Sequence, residues 1–96
     1  MDISVHHATE ADRFELRVNG ELAAYADTRH LSDGVVEMPH TYTLPSFRGQ
    51  GLAAQVVRAA LDNLAADGHQ VLPTCWFVAE FIDANPQYGH LLASNR

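Results

Sequence analysis

The chain has 96 residues, 47% hydrophobic and 19% charged, which is the composition of an ordinary globular protein, and the length predicts a single domain over residues 1–96. The formal net charge is -6 and there is no lysine, so non-specific nucleic-acid binding, which needs clustered positive charge, is not expected. No apolar run reaches the roughly 18–20 residues that span a bilayer, and the N-terminus lacks the features of a secretory signal. The single cysteine, Cys75, cannot form an internal disulfide, so we expect a cytoplasmic protein without a membrane partner.

The negative charge is concentrated in the first part of the chain. Residues 1–37 contain eight acidic residues and three arginines, whereas residues 40–96 contain four acidic residues and three arginines. Two interpretations stay open. The acidic part is either a solvated surface or a region that attracts a cationic substrate such as an amine.

The first half of the chain reads as extended segments joined by tight turns. Asn19-Gly20 predicts a two-residue hairpin, because both positions tolerate positive φ. We expect a second connection over residues 29–34. Alternating apolar and polar residues, with Phe14 and Leu16 facing inward, favour strands on both sides of the hairpin. The candidate strands are Ile3–Ala8, Arg13–Val18 and residues 21–28.

Residues 35–44 form the next extended run. Pro39 cannot donate a ladder hydrogen bond, so an edge position, a bulge or a splayed strand is expected there. A splay would free backbone groups for a ligand, and a plain edge strand is the other interpretation. Alternation along the run would place on one face Val36, Met38, His40, Tyr42 and Leu44.

Residues 51–67 are the best helix candidate. Gly68 predicts its C-terminal end. A short buried strand is expected over residues 70–74, and a frayed tail over residues 94–96. Short helical pieces are expected over residues 79–84 and 86–92, separated at Asn85-Pro86. The apolar stripe of the long helix comprises Leu52, Ala53, Val56, Val57, Ala60, Leu61 and Leu64.

These segments predict an α+β fold with a mixed sheet. An antiparallel meander comes first, and a strand–helix–strand unit with short C-terminal helices follows. The crossover from residues 35–44 to residues 70–74 should be parallel and right-handed.

The junction before the long helix contains two glycines, in Arg48-Gly49-Gln50-Gly51-Leu52-Ala53. Backbone amides at the start of a helix carry the positive end of its dipole, so the junction predicts an anion site. A P-loop is excluded because the chain has no lysine. A dinucleotide-binding fingerprint fits the glycine spacing, but it requires a largely parallel sheet. It also requires an acidic residue about 20 positions later, where this chain has Leu72, Pro73 and Thr74.

The same six residues resemble the pyrophosphate loop of the GNAT superfamily of N-acetyltransferases, whose pattern is Q/R-x-x-G-x-G/A, in a strand–loop–helix context. The resemblance extends over nearly the whole chain, and it is to the small single-domain branch of that superfamily. Residues 14–25 are similar to the first hairpin of the branch. Further matching segments are His40-Thr41, Ala60-Leu61-Asp62, Pro73-x-Cys75-x-Phe77-Val78 and Asn85-Pro86-Gln87-Tyr88.

The resemblance implies a half-length GNAT-like fold that uses acetyl-CoA or CoA. The thioester would lie in a slot where the strands at 35–44 and 70–74 diverge. The pantetheine arm would pair, as an added strand, with the backbone of Thr41, Tyr42, Thr43 and Leu44. The pyrophosphate would contact Arg48, Gly49, Gln50, Gly51, Leu52 and Ala53.

Acetyl transfer to an amine needs a base, polarisation of the carbonyl and protonation of the leaving thiolate. The branch usually has glutamate after His-Thr, where this chain has Tyr42, so His40 is the alternative base. Cys75 falls where the branch has a cysteine near the acetyl group, and it either accepts the acetyl group or lines the slot. The usual proline after it is Trp76 here. Tyr88 either protonates the thiolate or packs the terminal helix.

The leading hypothesis is an acetyl-CoA-dependent N-acetyltransferase that acts on the amine of a small molecule or peptide. The alternative is a module that binds or senses CoA without turnover. No metal site is expected, because the remaining histidines lack metal-ligand spacing. A monomer or a homodimer is compatible with exposed sheet edges.

Overall fold

The structure is a computed structural model, and it describes residues 2–93. Within that range the strands are β1 (Ile3–Ala8), β2 (Arg13–Val18), β3 (Glu21–Asp27), β4 (Arg29–His30), β5 (Val35–Glu37), β6 (Thr41–Thr43) and β7 (Gln70–Leu72). The helices are α1 (Leu52–Ala66) and α2 (Trp76–Ala84). Short 3₁₀ helices occupy Thr9–Ala11, Pro45–Phe47 and Pro86–Leu91. The tail predicted at 94–96 lies outside the described residues.

The first three strands form the predicted antiparallel meander. Its turn residues Asn19 and Gly20 have φ of 51° and 85°, as a tight hairpin between right-twisted strands requires. A β-bulge after Leu16 leaves Ala23 without a partner in the register, so Ala23 and Ala24 are both fully buried. The bulge is the reason that the simple alternation expected for β3 fails at this point.

The extended run predicted at 35–44 is interrupted at Pro39, and its two halves belong to different sheets. One sheet has the strand order β1-β2-β3-β6 and the other has the order β4-β5-β7. The single mixed sheet expected from the sequence is therefore divided into two. The parallel pairing between β5 and β7 is confirmed. Residues Arg29–His30, predicted to lie in a connection, form β4 instead.

The interruption also changes which side chains share a face. Val36 and Met38 are fully buried, whereas the side chain of His40 is 53% exposed. Tyr42 pairs with Tyr25, on the face of the first sheet opposite α1. The expectation that one face continues from Val36 to Leu44 is therefore wrong, because the chain changes sheets between β5 and β6.

Helix α1 packs against β2, β3 and β6, and it buries the predicted stripe except for the half-buried Ala53. It ends in a Schellman motif, in which the N–H groups of Gly68 and His69 donate to the carbonyls of Ala65 and Leu64. Helix α2 starts three residues earlier than predicted, directly after Cys75. None of the described helices is long and apolar enough to cross a membrane.

Candidate functional site

The glycine loop presents unpaired backbone amides at the start of α1. Gly49 and Gly51 have φ of 83° and 73°, and Gly51 is the N-cap residue of the helix. No side chain caps this end, and the first turn contains no acidic residue. Within residues 2–93 the N–H groups of Gly49, Gln50 and Gly51 donate no backbone hydrogen bond. Because the first N–H groups of a helix also lack intrahelical acceptors, the loop is suited to bind an anion.

The loop borders a groove of about 260 Å³. A Cβ added at Gly49 or Gly51 would meet no atom within 4 Å, so the backbone φ, and not packing, requires glycine at these positions. Six of the nine lining residues are among those predicted to contact the cofactor. Phe47, Ala54 and Phe77 are not, because the sequence does not show which side chains of the neighbouring elements face the groove. The lining residues are Thr43, Phe47, Arg48, Gly49, Gly51, Leu52, Ala53, Ala54 and Phe77.

Strand β6 leads from this groove and has one open edge. The N–H of Leu44 donates to Ala23, and the carbonyl of His40 accepts from Asp27, both at 2.8 Å. In an antiparallel ladder the backbone groups of alternate residues point to opposite edges. The N–H and C=O groups of Thr41 and Thr43 therefore point away from β3, toward the gap between the two sheets.

Arg48 folds back over this open edge. Its Nε donates to the carbonyl oxygen of Thr43 at 2.9 Å, and its guanidinium carbon lies 5.3 Å from the centroid of the Tyr42 ring. The side chain thus occupies one acceptor of the edge that is predicted to pair with the pantetheine arm. A phosphate contact by Arg48 would have to use the other guanidinium nitrogens, or release Thr43.

Cys75 lies at the far end of the gap. The thiol is buried, and its Sγ is 3.7 Å from Oγ1 of Thr41. The N–H of Cys75 donates to the carbonyl of Met38 at 3.0 Å, which fixes the start of α2 beside the interruption at Pro39. The structure therefore brings together Thr41 and Cys75, two of the residues singled out from the sequence.

His40 and Tyr42 lie beside Tyr25, on the face of the first sheet opposite α1. The three ring centroids are separated by 5.6 to 6.1 Å. Nδ1 of His40 is 3.2 Å from a carboxylate oxygen of Asp27. Neither Tyr25 nor Asp27 was identified from the sequence, because the pairing of β3 with β6 joins residues that are far apart in the chain.

Tyr88 is placed differently from the other candidates. Its hydroxyl donates to Oδ1 of Asp62 at 2.7 Å, and its ring packs against Phe81. Burial raises the pKa of the Tyr88 phenol above its ordinary value, and the Asp62 carboxylate adds to this effect. Asp62 is ten residues after the start of α1, or about 15 Å along the helix axis. These contacts therefore attach the C-terminal 3₁₀ helix to α1.

Among residues 2–93 no group of three or more His, Cys, Asp or Glu side chains is arranged to hold a metal ion.

Comparison with known proteins relates this geometry to one family. A family model described as GCN5-related N-acetyl-transferase matches residues 13–91. The chain is also similar to Protein NATD1 of Bos taurus, with 29% identity over 85 residues that cover 88% of this chain and 75% of the relative.

Two solved structures share the fold. A GCN5-like protein of Staphylococcus aureus, solved by NMR, superposes with a TM-score of 0.70 at 14% identity and covers 99% of this chain and 90% of its own. N-acetylglutamate synthase of Neisseria gonorrhoeae, complexed with coenzyme A and N-acetyl-glutamate, gives a TM-score of 0.62 at 14% identity. That match covers 86% of this chain and 22% of the synthase. At these identities the likeness concerns the fold.

Proposed function

The chain belongs to the GCN5-related N-acetyltransferase family, and we propose that it binds acetyl-CoA and transfers the acetyl group to an amine. One observation carries the proposal. The unpaired amides at the start of α1 stand at one end of an open strand edge, and the other end of that edge reaches Cys75. The free backbone groups of β6 thus run from the loop amides, which could hold an anion, to Cys75, which closes the other end of the gap.

We place the pyrophosphate on the backbone amides of residues 49–53, where the helix dipole and the unpaired N–H groups favour negative charge. The amides of the pantetheine arm pair with the backbone of Thr41 and Thr43, as an added strand would. The thioester then lies where the two sheets separate, beside the Thr41–Cys75 contact.

The acceptor approaches from the face that carries His40. Nε2 of His40 takes a proton from the ammonium group of the acceptor, and the neutral amine attacks the thioester carbonyl. The new N–C bond forms as the C–S bond breaks, and a second proton of the nitrogen passes to the departing thiolate. The imidazolium returns its proton to solvent.

Cys75 lines the end of the slot in this proposal and does not carry the acetyl group. Cys75 is only 9% exposed and its thiol already contacts Thr41, so it closes the space that the acetyl group would occupy. Cys75→Ala should therefore retain turnover, and intact-protein mass spectrometry should find no acetylated enzyme in the wild type. A free thiol also suits a reducing compartment, and we propose a cytoplasmic location.

The cofactor site is tested with two variants at Ala53, which lines the groove in the first turn of α1. Ala53→Glu adds a carboxylate in the first turn of α1. The helix dipole stabilises a negative charge there, but the carboxylate would repel a bound pyrophosphate. Ala53→Gln adds nearly the same volume without the charge. A ligand at 100 times its Kd stabilises a protein by about 2.7 kcal/mol, so CoA should raise the melting temperature of the wild type by several degrees.

We expect Ala53→Gln to keep most of this rise, and Ala53→Glu to lose it while melting no lower than Ala53→Gln in the absence of CoA. Calorimetric titration with CoA measures the affinities directly. A wild-type protein whose melting temperature is unchanged by millimolar CoA would refute the cofactor proposal.

A module that binds CoA without turnover is the competing function. It is favoured by the contacts of Tyr88, whose hydroxyl is held by Asp62 and is thus not available as an acid at the slot. Mass spectrometry of an amine and peptide panel incubated with acetyl-CoA separates the two functions. Acetylated product that is absent with Ala53→Glu supports the enzyme, whereas CoA binding without any product supports the module.

A further inference from the structure

A carboxylate from the neighbouring strand contacts the proposed base. Oδ2 of Asp27, at the end of β3, lies 3.2 Å from Nδ1 of His40. The backbones of the two residues are also joined, because the N–H of Asp27 donates to the carbonyl of His40 at 2.8 Å. The side-chain contact therefore rests on a fixed strand register and not on two mobile surface groups.

The contact selects one form of the neutral imidazole. A carboxylate accepts hydrogen bonds but donates none, so Nδ1 of His40 must carry the proton that joins the two side chains. Nε2 is then the nitrogen with a free lone pair. A histidine can act as a base only through its unprotonated nitrogen, so the carboxylate decides which ring atom does so.

Aromatic neighbours hold the ring in this orientation. The centroid of the His40 ring is 6.0 Å from that of Tyr25 and 6.1 Å from that of Tyr42. An arginine covers each tyrosine in turn, Arg13 at 4.3 Å and Arg48 at 5.3 Å from the ring centroids. His40 nevertheless keeps 53% of its side chain exposed, so an acceptor can reach it.

The backbone on either side of His40 lies at the end of the slot. Cys75 contacts the chain on both sides of His40, through the carbonyl of Met38 and the hydroxyl of Thr41. His40 is therefore held in the short segment that wraps the proposed position of the thioester.

We infer that Asp27 is a positioning residue: it holds His40 as the Nδ1–H tautomer and aims Nε2 at the acceptor amine. The inference rests on the proposed function, in which His40 removes a proton from that amine. Asp27 acts through His40 and needs no contact with either substrate.

The experiment compares Asp27→Ala with Glu21→Ala, a matched control that removes an exposed carboxylate from the other end of β3. Two-dimensional ¹H–¹⁵N NMR of the histidine rings, at a pH where His40 is neutral, reports the tautomer. We expect the wild type and Glu21→Ala to show the Nδ1–H form, and Asp27→Ala to shift toward Nε2–H, which is the ordinary preference of free imidazole side chains.

In acetyl transfer, Asp27→Ala should lower kcat/KM for the acceptor by about 10-fold, within the roughly 10²-fold that a positioned base contributes. The KM for acetyl-CoA should not change, and Asp27→Glu should restore part of the rate. In a His40→Gln background, Asp27→Ala should have no further effect, because the residue it positions is gone.

An unchanged tautomer in Asp27→Ala would overturn the inference, and so would an equal loss of rate in the His40→Gln background. The two proposals fail separately. If the wild type transfers no acetyl group to any acceptor, the proposed function is refuted together with the aim of Nε2 at an acceptor, whereas the tautomer shift still supports or overturns the control of the His40 tautomer by Asp27.

Discussion

Glu15 is a buried carboxylate on the face of the first sheet opposite α1. It is 7% exposed, and it accepts hydrogen bonds from Nε of Arg13 at 2.8 Å and from an Nη atom of Arg17 at 3.0 Å. The Arg13 hydrogen bond holds the pKa of the Glu15 carboxyl below its ordinary value, against the opposing effect of burial, and Arg17 adds to the lowering. A carboxyl whose pKa is lower in the folded state stabilises that state only while it is ionised.

Glu15→Gln should therefore lower the free energy of unfolding at pH 7 by about 1–2 kcal/mol, the usual cost of losing charged hydrogen bonds at a buried position. The contribution is fully present above the unfolded pKa, near 4.5, and is lost as the pH falls through the lower folded pKa. The stabilities of wild type and variant should thus converge once the pH has fallen below the folded pKa of Glu15. Urea unfolding at a series of pH values measures the difference in the free energy of unfolding at pH 7 and its loss in acid. Glu21→Gln, at an exposed position, is the control. A difference that persists in acid would contradict this account.

Tyr88→Phe separates a structural role from a catalytic one. Loss of the hydrogen bond to Asp62 should reduce the free energy of unfolding by about 1 kcal/mol, and kcat should stay near the wild-type value. Thermal unfolding and steady-state kinetics provide the two readouts. A 100-fold fall in kcat without a loss of stability would instead establish the acid role, which is the other of the two interpretations that the sequence left open for Tyr88.

At the scale of elements, the parts with a local signal were predictable. Each of these signals is contained in the element that it predicts or lies next to it. They are the alternation in Arg13–Val18, the Asn19-Gly20 turn, the apolar stripe of α1 and the glycine that ends α1. The pairing of β3 with β6 has no such signal, because it joins residues about 17 positions apart through a register that only the folded chain defines. Asp27 and Tyr25 were missed for that reason.

The early start of α2 has a different explanation. Its N-cap is Cys75, which has an extended backbone but is not among the polar residues that usually cap helices. The hydrogen bond from its N–H to Met38 positions this start, and that contact depends on tertiary structure. The left-handed glycines and the uncapped helix start were predictable because they depend on the local backbone, whereas the face around His40 required the three-dimensional arrangement.

The glycine loop makes a prediction about element geometry. Gly51→Ala places a Cβ on a left-handed residue, at a cost of about 1–2 kcal/mol in the free energy of unfolding. If the backbone relaxes instead, the amides turn away and the affinity for CoA falls. Gly89→Ala is the control, since Gly89 has no positive φ and a Cβ there meets nothing within 4 Å. Urea unfolding and CoA titration should leave Gly89→Ala close to wild type. Equal effects of the two substitutions would show that the φ of Gly51 is unimportant.

At the scale of the whole molecule, the chain combines a net negative charge with a loop that we propose binds an anion. If CoA binds as proposed, the formal charge of -6 repels it at long range, and the unpaired amides of the loop attract it only at contact. A positively charged acceptor experiences the opposite, because the overall field draws it toward the protein. Ionic strength should therefore act differently on the two substrates.

We expect kcat/KM for a basic acceptor peptide to fall several-fold between about 50 and 500 mM NaCl, where the Debye length shrinks from roughly 14 to 4 Å. An acidic peptide that presents the same amine should gain or keep its rate, and the affinity for CoA should not weaken. Steady-state kinetics with both peptides measures this difference. Identical salt responses of the two peptides would exclude steering by the net charge.

The division of the strands into two sheets leaves the gap beside β6 without a protein strand to fill it. If the cofactor supplies the missing partner, the empty protein is an unfinished domain, whose open edge exchanges its amide hydrogens faster and admits proteases more readily than the loaded form. Degradation would then fall on the unloaded molecules. The amount of this protein in a cell would rise and fall with the supply of acetyl-CoA, without any regulator of its synthesis.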